Sequence, residues 1–208
     1  MLRYIKYFIE QSWLLIVSSF CFGLLLAVAN AAWSPQIEQN RVNKLNHSMG
    51  SLLKGAEKFE WAADVEIEAP RGGKKSRSIV YKANNAEGNC VGWAFIGVGS
   101  GFADKIELVI AVDKNFEKVA GFDVLSSNET PGFGDQIKND YYRDQFSGAP
   151  AGRLELSKMG DEKKIDEQIV AISGATISSS AVVAIFNDYI DQIKNHLQQK
   201  GLIGDGGE

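Results

Sequence analysis

The sequence has little from which to build a metal centre or a disulfide framework. Two cysteines and two histidines occur in 208 residues. Cys21 falls inside a strongly apolar run and Cys90 lies far from it, so their spacing suggests neither a disulfide framework nor a zinc site. His47 and His196 are isolated in helical patterns with no second ligand at helical or hairpin spacing, and each reads as a surface or packing histidine. Any redox chemistry would therefore fall to an organic cofactor. An excess of positive charge is also missing. The 22 Lys and Arg against 26 Asp and Glu leave a net charge of -4, which gives no general pull toward nucleic acid, whose binding rests on neutralising phosphates. No nucleic-acid partner is expected. The densest basic run, Arg71, Lys74, Lys75 and Arg77, reads as a solvated loop between two strands.

Charge of either sign is absent between Glu10 and Glu38, and Trp13 to Ala32 is dominated by Leu, Ile, Val, Phe and Ala. A span needs about 20 residues, and one Lys or Arg near its centre would cost about 2.5 to 3.5 kcal/mol. The stretch is thus read as a single transmembrane helix with Trp13 and Trp33 at its interfaces. A cleaved secretory signal is the competing reading, with Arg3 and Lys6 before the apolar run and Ala29, Asn30 and Ala31 as a cleavage site. The anchor is favoured because signal cores are shorter, about 7 to 15 residues. Both readings export the remainder of the chain. Arg41 and Lys44 follow the span about as closely as Arg3 and Lys6 precede it, so charge alone leaves the orientation open.

Beyond the span, Ser34 and Pro35 give a helix start, and Ile37, Val42, Leu45, Met49, Leu52 and Leu53 keep one apolar face. The pattern then turns to short strands at Val65 to Glu68, Ile79 to Lys82, Cys90 to Val98, Ile106 to Val112 and Val119 to Leu125, with a hairpin turn at Asp113 to Asn115. An amphipathic piece comes next over Asp135 to Phe146, then a strand at Leu154 to Leu156, a charged loop from Gly160 to Glu167 and an apolar strand at Ile169 to Ile172. A long helix closes the pattern, with Val182, Ile185, Phe186, Tyr189, Ile190, Ile193 and Leu197 on one face and Gly201 at its cap. The expected division is an anchor in 1–33, a stalk or first helix in 34–60, an extracytoplasmic domain in 61–201 and a mobile tail in 202–208. The fold class is α+β, a twisted, mostly antiparallel sheet flanked by helices.

Two glycine-bearing loops carry the chemistry. The strand ending at Ser173, Gly174, Ala175 and Thr176 restarts as a helix, so Thr176 stands where unpaired N–H groups and the positive dipole end favour an anion. That preference is worth about 0.3 to 1 kcal/mol at an exposed site, enough to orient a phosphate and too little to retain a cofactor. Taken alone, the same stretch reads as a capping segment with Thr176 or Ser178 as N-cap. The second loop is Glu129, Thr130, Pro131, Gly132, Phe133 and Gly134. Pro131 and Gly132 fit the central positions of a type II turn, and Gly134 removes a side chain that would keep a flat ligand away from the backbone.

Together these loops resemble the FMN-binding domain of the G subunit of Rnf complexes and of the C subunit of sodium-translocating NADH:quinone reductases. Gly97, Gly99, Gly101 and Phe102 match that family's glycine-aromatic strand segment, and Ser173 to Ser178 reads SGATIS, close to its flavin attachment site. The resemblance covers nearly the whole chain, whose compact length favours the Rnf type. It implies FMN bound covalently to Thr176 by a phosphoester, made by a separate flavin transferase that uses FAD. Ser173, Gly174 and Ala175 would shape the loop, Ser178 would hydrogen-bond the phosphate, and Glu129, Thr130 and Gly132 would approach the isoalloxazine ring. Phe133 departs from the family's usual Leu.

The same resemblance implies an electron-transfer subunit of a membrane-bound ferredoxin:NAD oxidoreductase complex, not catalytic alone. Its partners would be the other redox subunits and, during maturation, the flavin transferase. It would sit in the cell inner membrane as a single-pass protein with its domain on the periplasmic side. The alternatives are a quinone-reductase C-type subunit, a component of another extracytoplasmic flavin reductase, and an assembly or binding module whose SGAT loop is never modified.

Overall fold

The computed structural model describes residues 2–68 and 75–203. The chain divides into one compact unit ending at Asn43 and a second beginning at Lys44. The first unit is helix, the leading part of α1 (Leu2–Leu52), which is long and apolar enough from Glu10 onward to cross a membrane. Its Trp13, Leu14, Leu15, Phe20, Phe22, Leu25, Leu26 and Trp33 are more than half exposed, an arrangement that costs free energy in water and none among lipid tails. The expected helix start at Ser34 and Pro35 is not there, because α1 runs unbroken through Pro35. A proline's fixed φ suits a helix and forfeits one backbone bond, here to Ala31, while good helix formers continue on both sides.

In the second unit a five-stranded antiparallel meander runs in the order β1 (Lys58–Glu68), β2 (Lys75–Asn84), β3 (Cys90–Ser100), β4 (Lys105–Asp113) and β5 (Val119–Ser127). It is followed by a 3-10 turn η1 (Gly134–Lys138), a short helix α2 (Asp140–Arg143), a 3-10 turn η2 (Asp144–Phe146), the short parallel pair β6 (Glu155–Ser157) and β7 (Gln168–Val170), and α3 (Thr176–Gln199). The α+β architecture read from the sequence is thus present, with one parallel pair besides the antiparallel sheet.

Alternation along the strands sends two sets of side chains to opposite faces. Val65, Phe95, Leu108, Ile110 and Phe122 meet Val182, Ile185, Phe186 and Tyr189 of α3 in one core. Ala83, Ala94, Val109, Ala111 and Leu125 meet Leu45, Met49 and Leu53, from the end of α1 and the residue after it, in another. The interior strand β4 is therefore covered on both sides, which is why its sequence is a nearly continuous apolar run. Ser48 Oγ donates to Asp123 Oδ2 at 2.5 Å and Lys44 Nζ donates to the Leu125 carbonyl at 2.7 Å, fixing these last turns of α1 on β5.

β3 presents glycines to α3. A Cβ on either Gly97 or Gly99 would stand 2.5 Å from Ile185 side-chain atoms, so the helix lies closer to the sheet than a substituted strand would permit. That close approach brings the first turn of α3 beside the loops at the end of β3 and β5. Of the basic run, Arg71 and Lys74 lie outside the described residues. Lys75 and Arg77 stand on β2 facing acidic neighbours on β1, Lys75 at 3.4 Å from Glu66 and Arg77 paired with Asp64. The acidic tail from Gly204 to Glu208 is also outside the described residues.

Candidate functional site

Three segments converge at the start of α3. The first is the β3–β4 connection, closed by a bond from Gly101 N–H to the Asp104 carbonyl at 2.8 Å and bearing Phe102, which is 66% exposed. The second lies after β5. The Phe133 N–H donates to the Thr130 carbonyl at 3.2 Å and Gly132 has φ +78°, the geometry of a type II turn centred on Pro131 and Gly132. Gln136 Nε2 holds the Gly132 carbonyl at 2.6 Å and is itself held by the Tyr141 hydroxyl through Oε1 at 2.7 Å.

The third segment joins β7 to α3. Gly174 has φ +79°, a conformation that glycine adopts freely and other residues adopt at a cost. Ser179 locks the bend from within, its Oγ donating to the Ala175 carbonyl and accepting from the Ile172 N–H, both at 3.0 Å. Beneath it the buried Tyr142 hydroxyl donates to the Ser179 carbonyl at 3.2 Å, and burial pushes that phenol far above its ordinary pKa.

Ala175 is the N-cap and makes no side-chain capping bond, so neither Thr176 nor Ser178 caps the helix. The first backbone bond of α3 runs from Ser179 N–H to the Ala175 carbonyl. The N–H groups of Thr176, Ile177 and Ser178 are thus left without an acceptor among the described residues. Ser178 Oγ instead donates to Glu129 Oε2 at 2.5 Å, while Glu129 Oε1 accepts the Ala103 N–H at 3.0 Å.

These segments line a cavity of about 440 Å³, within the range of about 300 to 1,000 Å³ usual for small-molecule and cofactor sites. Phe102 contributes from the β3–β4 connection, Glu129, Thr130, Phe133 and Gly134 from the second loop, and Gly174 to Ser178 from the third. Most of the residues singled out from the sequence come together here. Gly132 and Ser173 do not line the cavity; both are exposed, Gly132 inside its turn and Ser173 in the bend before Gly174. Phe102 and Ile177 line it without having been picked out as site residues, and Ala103 enters only through its backbone N–H. Glu129 turns its carboxylate to Ser178 and Ala103. A serine hydroxyl carries one hydrogen, so in this arrangement Ser178 has none to give to a phosphate.

Residues 101–191 match the family model described as an FMN-binding domain. The chain is 30% identical over 179 residues to the G subunit of the proton-translocating ferredoxin:NAD(+) oxidoreductase complex of Clostridium ljungdahlii, covering 86% of this chain and 88% of that protein. It is 28% identical to the G subunit of the ion-translocating oxidoreductase complex of Methanosarcina acetivorans, over 86% of this chain and 90% of that one. The crystal structure of Shewanella oneidensis NqrC has the same fold, with a TM-score of 0.54 and 21% identity across 70% of this chain and 72% of that one.

Proposed function

We propose that this chain, which belongs to the family of G subunits of ion-translocating Rnf oxidoreductase complexes, is an electron-transfer subunit whose FMN is joined through its phosphate to Thr176. The observation that carries the reading is the apposition of two unlike half-sites. One is an exposed threonine at a helix start with three unclaimed N–H groups; the other is a slot with glycine backbone and aromatic walls. The donors and the dipole suit a phosphate. The cavity walled by Phe102, Thr130 and Phe133 suits a flat ring.

When bound, the flavin supplies the uptake and release of electrons, and the chain supplies its position and surroundings. Attachment would make a bond from Thr176 Oγ1 to the FMN phosphorus as the pyrophosphate bond of FAD breaks. AMP would leave, and the hydroxyl proton would pass to the transferase or to solvent. A covalent link is useful on the outer face of a membrane, where a dissociable cofactor would be lost by dilution. Phe133 would stand beside the ring as one wall, and the Thr130 side of the loop would bound the other.

In this reading residues 1–33 would anchor the chain in the cell inner membrane, and the FMN-binding domain expected over 61–201 would lie on the periplasmic side and take in the later part of the 34–60 segment as well, since the second unit begins at Lys44. Neighbouring redox subunits would deliver and remove electrons. Mass spectrometry of the chain co-produced with flavin transferase tests the central claim: an FMN increment is expected on the peptide containing Thr176. An unmodified peptide would leave the chain as an assembly or binding module.

A further inference from the structure

The buried carboxylate of Glu129 is the feature the proposed function does not use. It is only 5% exposed, and burying a carboxylate is costly unless its oxygens are partnered. Both are. Oε2 takes the Ser178 hydroxyl at 2.5 Å and Oε1 takes the Ala103 N–H at 3.0 Å, so one side chain joins all three segments that line the cavity.

The seat for this carboxylate is tight. A Cβ on Gly101 would collide with Oε1, and a Cβ on Gly134 would stand 2.5 Å from Oε2 and 2.6 Å from Ser178 Oγ. Two loops could be joined at lower cost by apolar side chains of similar volume. The polar brace does something that apolar contact cannot: it fixes distance and direction between the third residue of α3 and the loops facing it. It also aims the two oxygens at the Ser178 hydroxyl and the Ala103 N–H, and the carboxylate makes no bond to the N–H groups of Thr176 to Ser178, which stay open to a phosphate.

We infer that Glu129 is a positioning residue that, through Ser178 and the Ala103 N–H, sets the spacing between the phosphate seat at Thr176 and the ring seat beside Phe102 and Phe133. This rests on the proposed attachment at Thr176. It assigns Glu129 a role at the joint between the two half-sites and assigns the Ser178 hydroxyl to the protein, with no contact of either to the reacting atoms.

The test uses the full-length chain in detergent, purified unmodified and then supplied with flavin transferase and FAD. Glu129→Ala is expected to lower the kcat of attachment at least tenfold with the KM for FAD unchanged, and to shift the midpoint potential of whatever flavin is attached. Ser178→Ala should fall similarly. The double variant should be no slower than Glu129→Ala, because Ser178→Ala deletes only a contact that Glu129→Ala has already deleted. Glu129→Gln, which still reaches both partners, should restore most of the rate.

In the unmodified chain, amide exchange at Ala103 should quicken in Glu129→Ala while β4 keeps its protection, a readout that needs no flavin. Wild-type kcat and potential in a folded Glu129→Ala chain would overturn the inference and leave the attachment standing, as would effects that multiply in the double variant. A wild-type chain that takes up no FMN at Thr176 would overturn the proposed function and this inference with it.

Discussion

The ring of Phe133 lies against Gly174, its Cδ1 and Cε1 standing 3.5 and 3.8 Å from the point a Cβ on Gly174 would occupy. The first distance is ordinary van der Waals contact, so a methyl group there would touch the ring without colliding. The cost of Gly174→Ala therefore comes from the backbone, since φ is +79° and an alanine in the left-handed region loses about 1 to 2 kcal/mol. The expected outcome is a destabilisation of that size in urea unfolding of the unmodified chain. An unchanged midpoint would mean that the bend relaxes without strain.

Thr176 is exposed, opens α3 and makes no side-chain capping bond. Thr176→Ala is therefore expected to leave stability within about 0.5 kcal/mol, as for surface changes away from caps and cores, and to abolish covalent flavin. Thr176→Ser keeps a hydroxyl at the same atom and should keep attachment. In-gel flavin fluorescence beside the thermal midpoint checks both. Covalent flavin in the alanine variant would relocate the attachment.

Ser48 reaches across to β5 and donates to Asp123, which also accepts the Val124 N–H at 2.9 Å and lies 3.6 Å from Arg143. Ser48→Ala removes one donor and leaves Asp123 with other partners. The loss is thus confined to a hydrogen bond with a charged group, about 1.5 to 3 kcal/mol. At about 2 to 4 °C per kcal/mol for a domain of this size, the thermal midpoint should fall by several degrees. No fall would show that the Ser48–Asp123 bond adds nothing to the apolar contacts and the Lys44–Leu125 bond that hold the last turns of α1 on β5.

The local parts of the site were legible because their signals are local. Pro131 with Gly132 and the bend at Gly174 announce themselves through backbone conformations that few residues adopt, and α3 through its apolar spacing. The longer reach of β1 was not legible. Lys58 to Trp61 hardly alternate in burial, since this stretch of the edge strand is largely exposed, and the pattern becomes visible only toward Val65. Pairing at a distance was hidden for another reason. Glu129 and Ser178 are 49 positions apart, and no local periodicity tells that a loop carboxylate will find the third residue of a helix. Ile177 is likewise ordinary in sequence, and Phe102, noted only as part of a glycine-aromatic segment, becomes a cavity wall with it only when the segments meet.

Tyr142 extends the site's dependence to alkaline pH. Its side chain is fully buried and its hydroxyl donates to the Ser179 carbonyl at the root of α3. Burial, the largest cause, raises its pKa well above the ordinary 10.0, because a phenolate loses its hydration there. In the unfolded chain the same phenol ionises near its ordinary value. The folded chain therefore holds its proton over a pH range in which the unfolded chain has released it. The contribution of this group is complete below pH 10.0 and is lost progressively as pH rises above it. Tyr142→Phe removes the titration along with one hydrogen bond at 3.2 Å. It should lower the midpoint at neutral pH and flatten its decline above pH 10.0. Thermal midpoints of the two chains measured across that range check this, and parallel curves would mean that Tyr142 does not govern the alkaline limb.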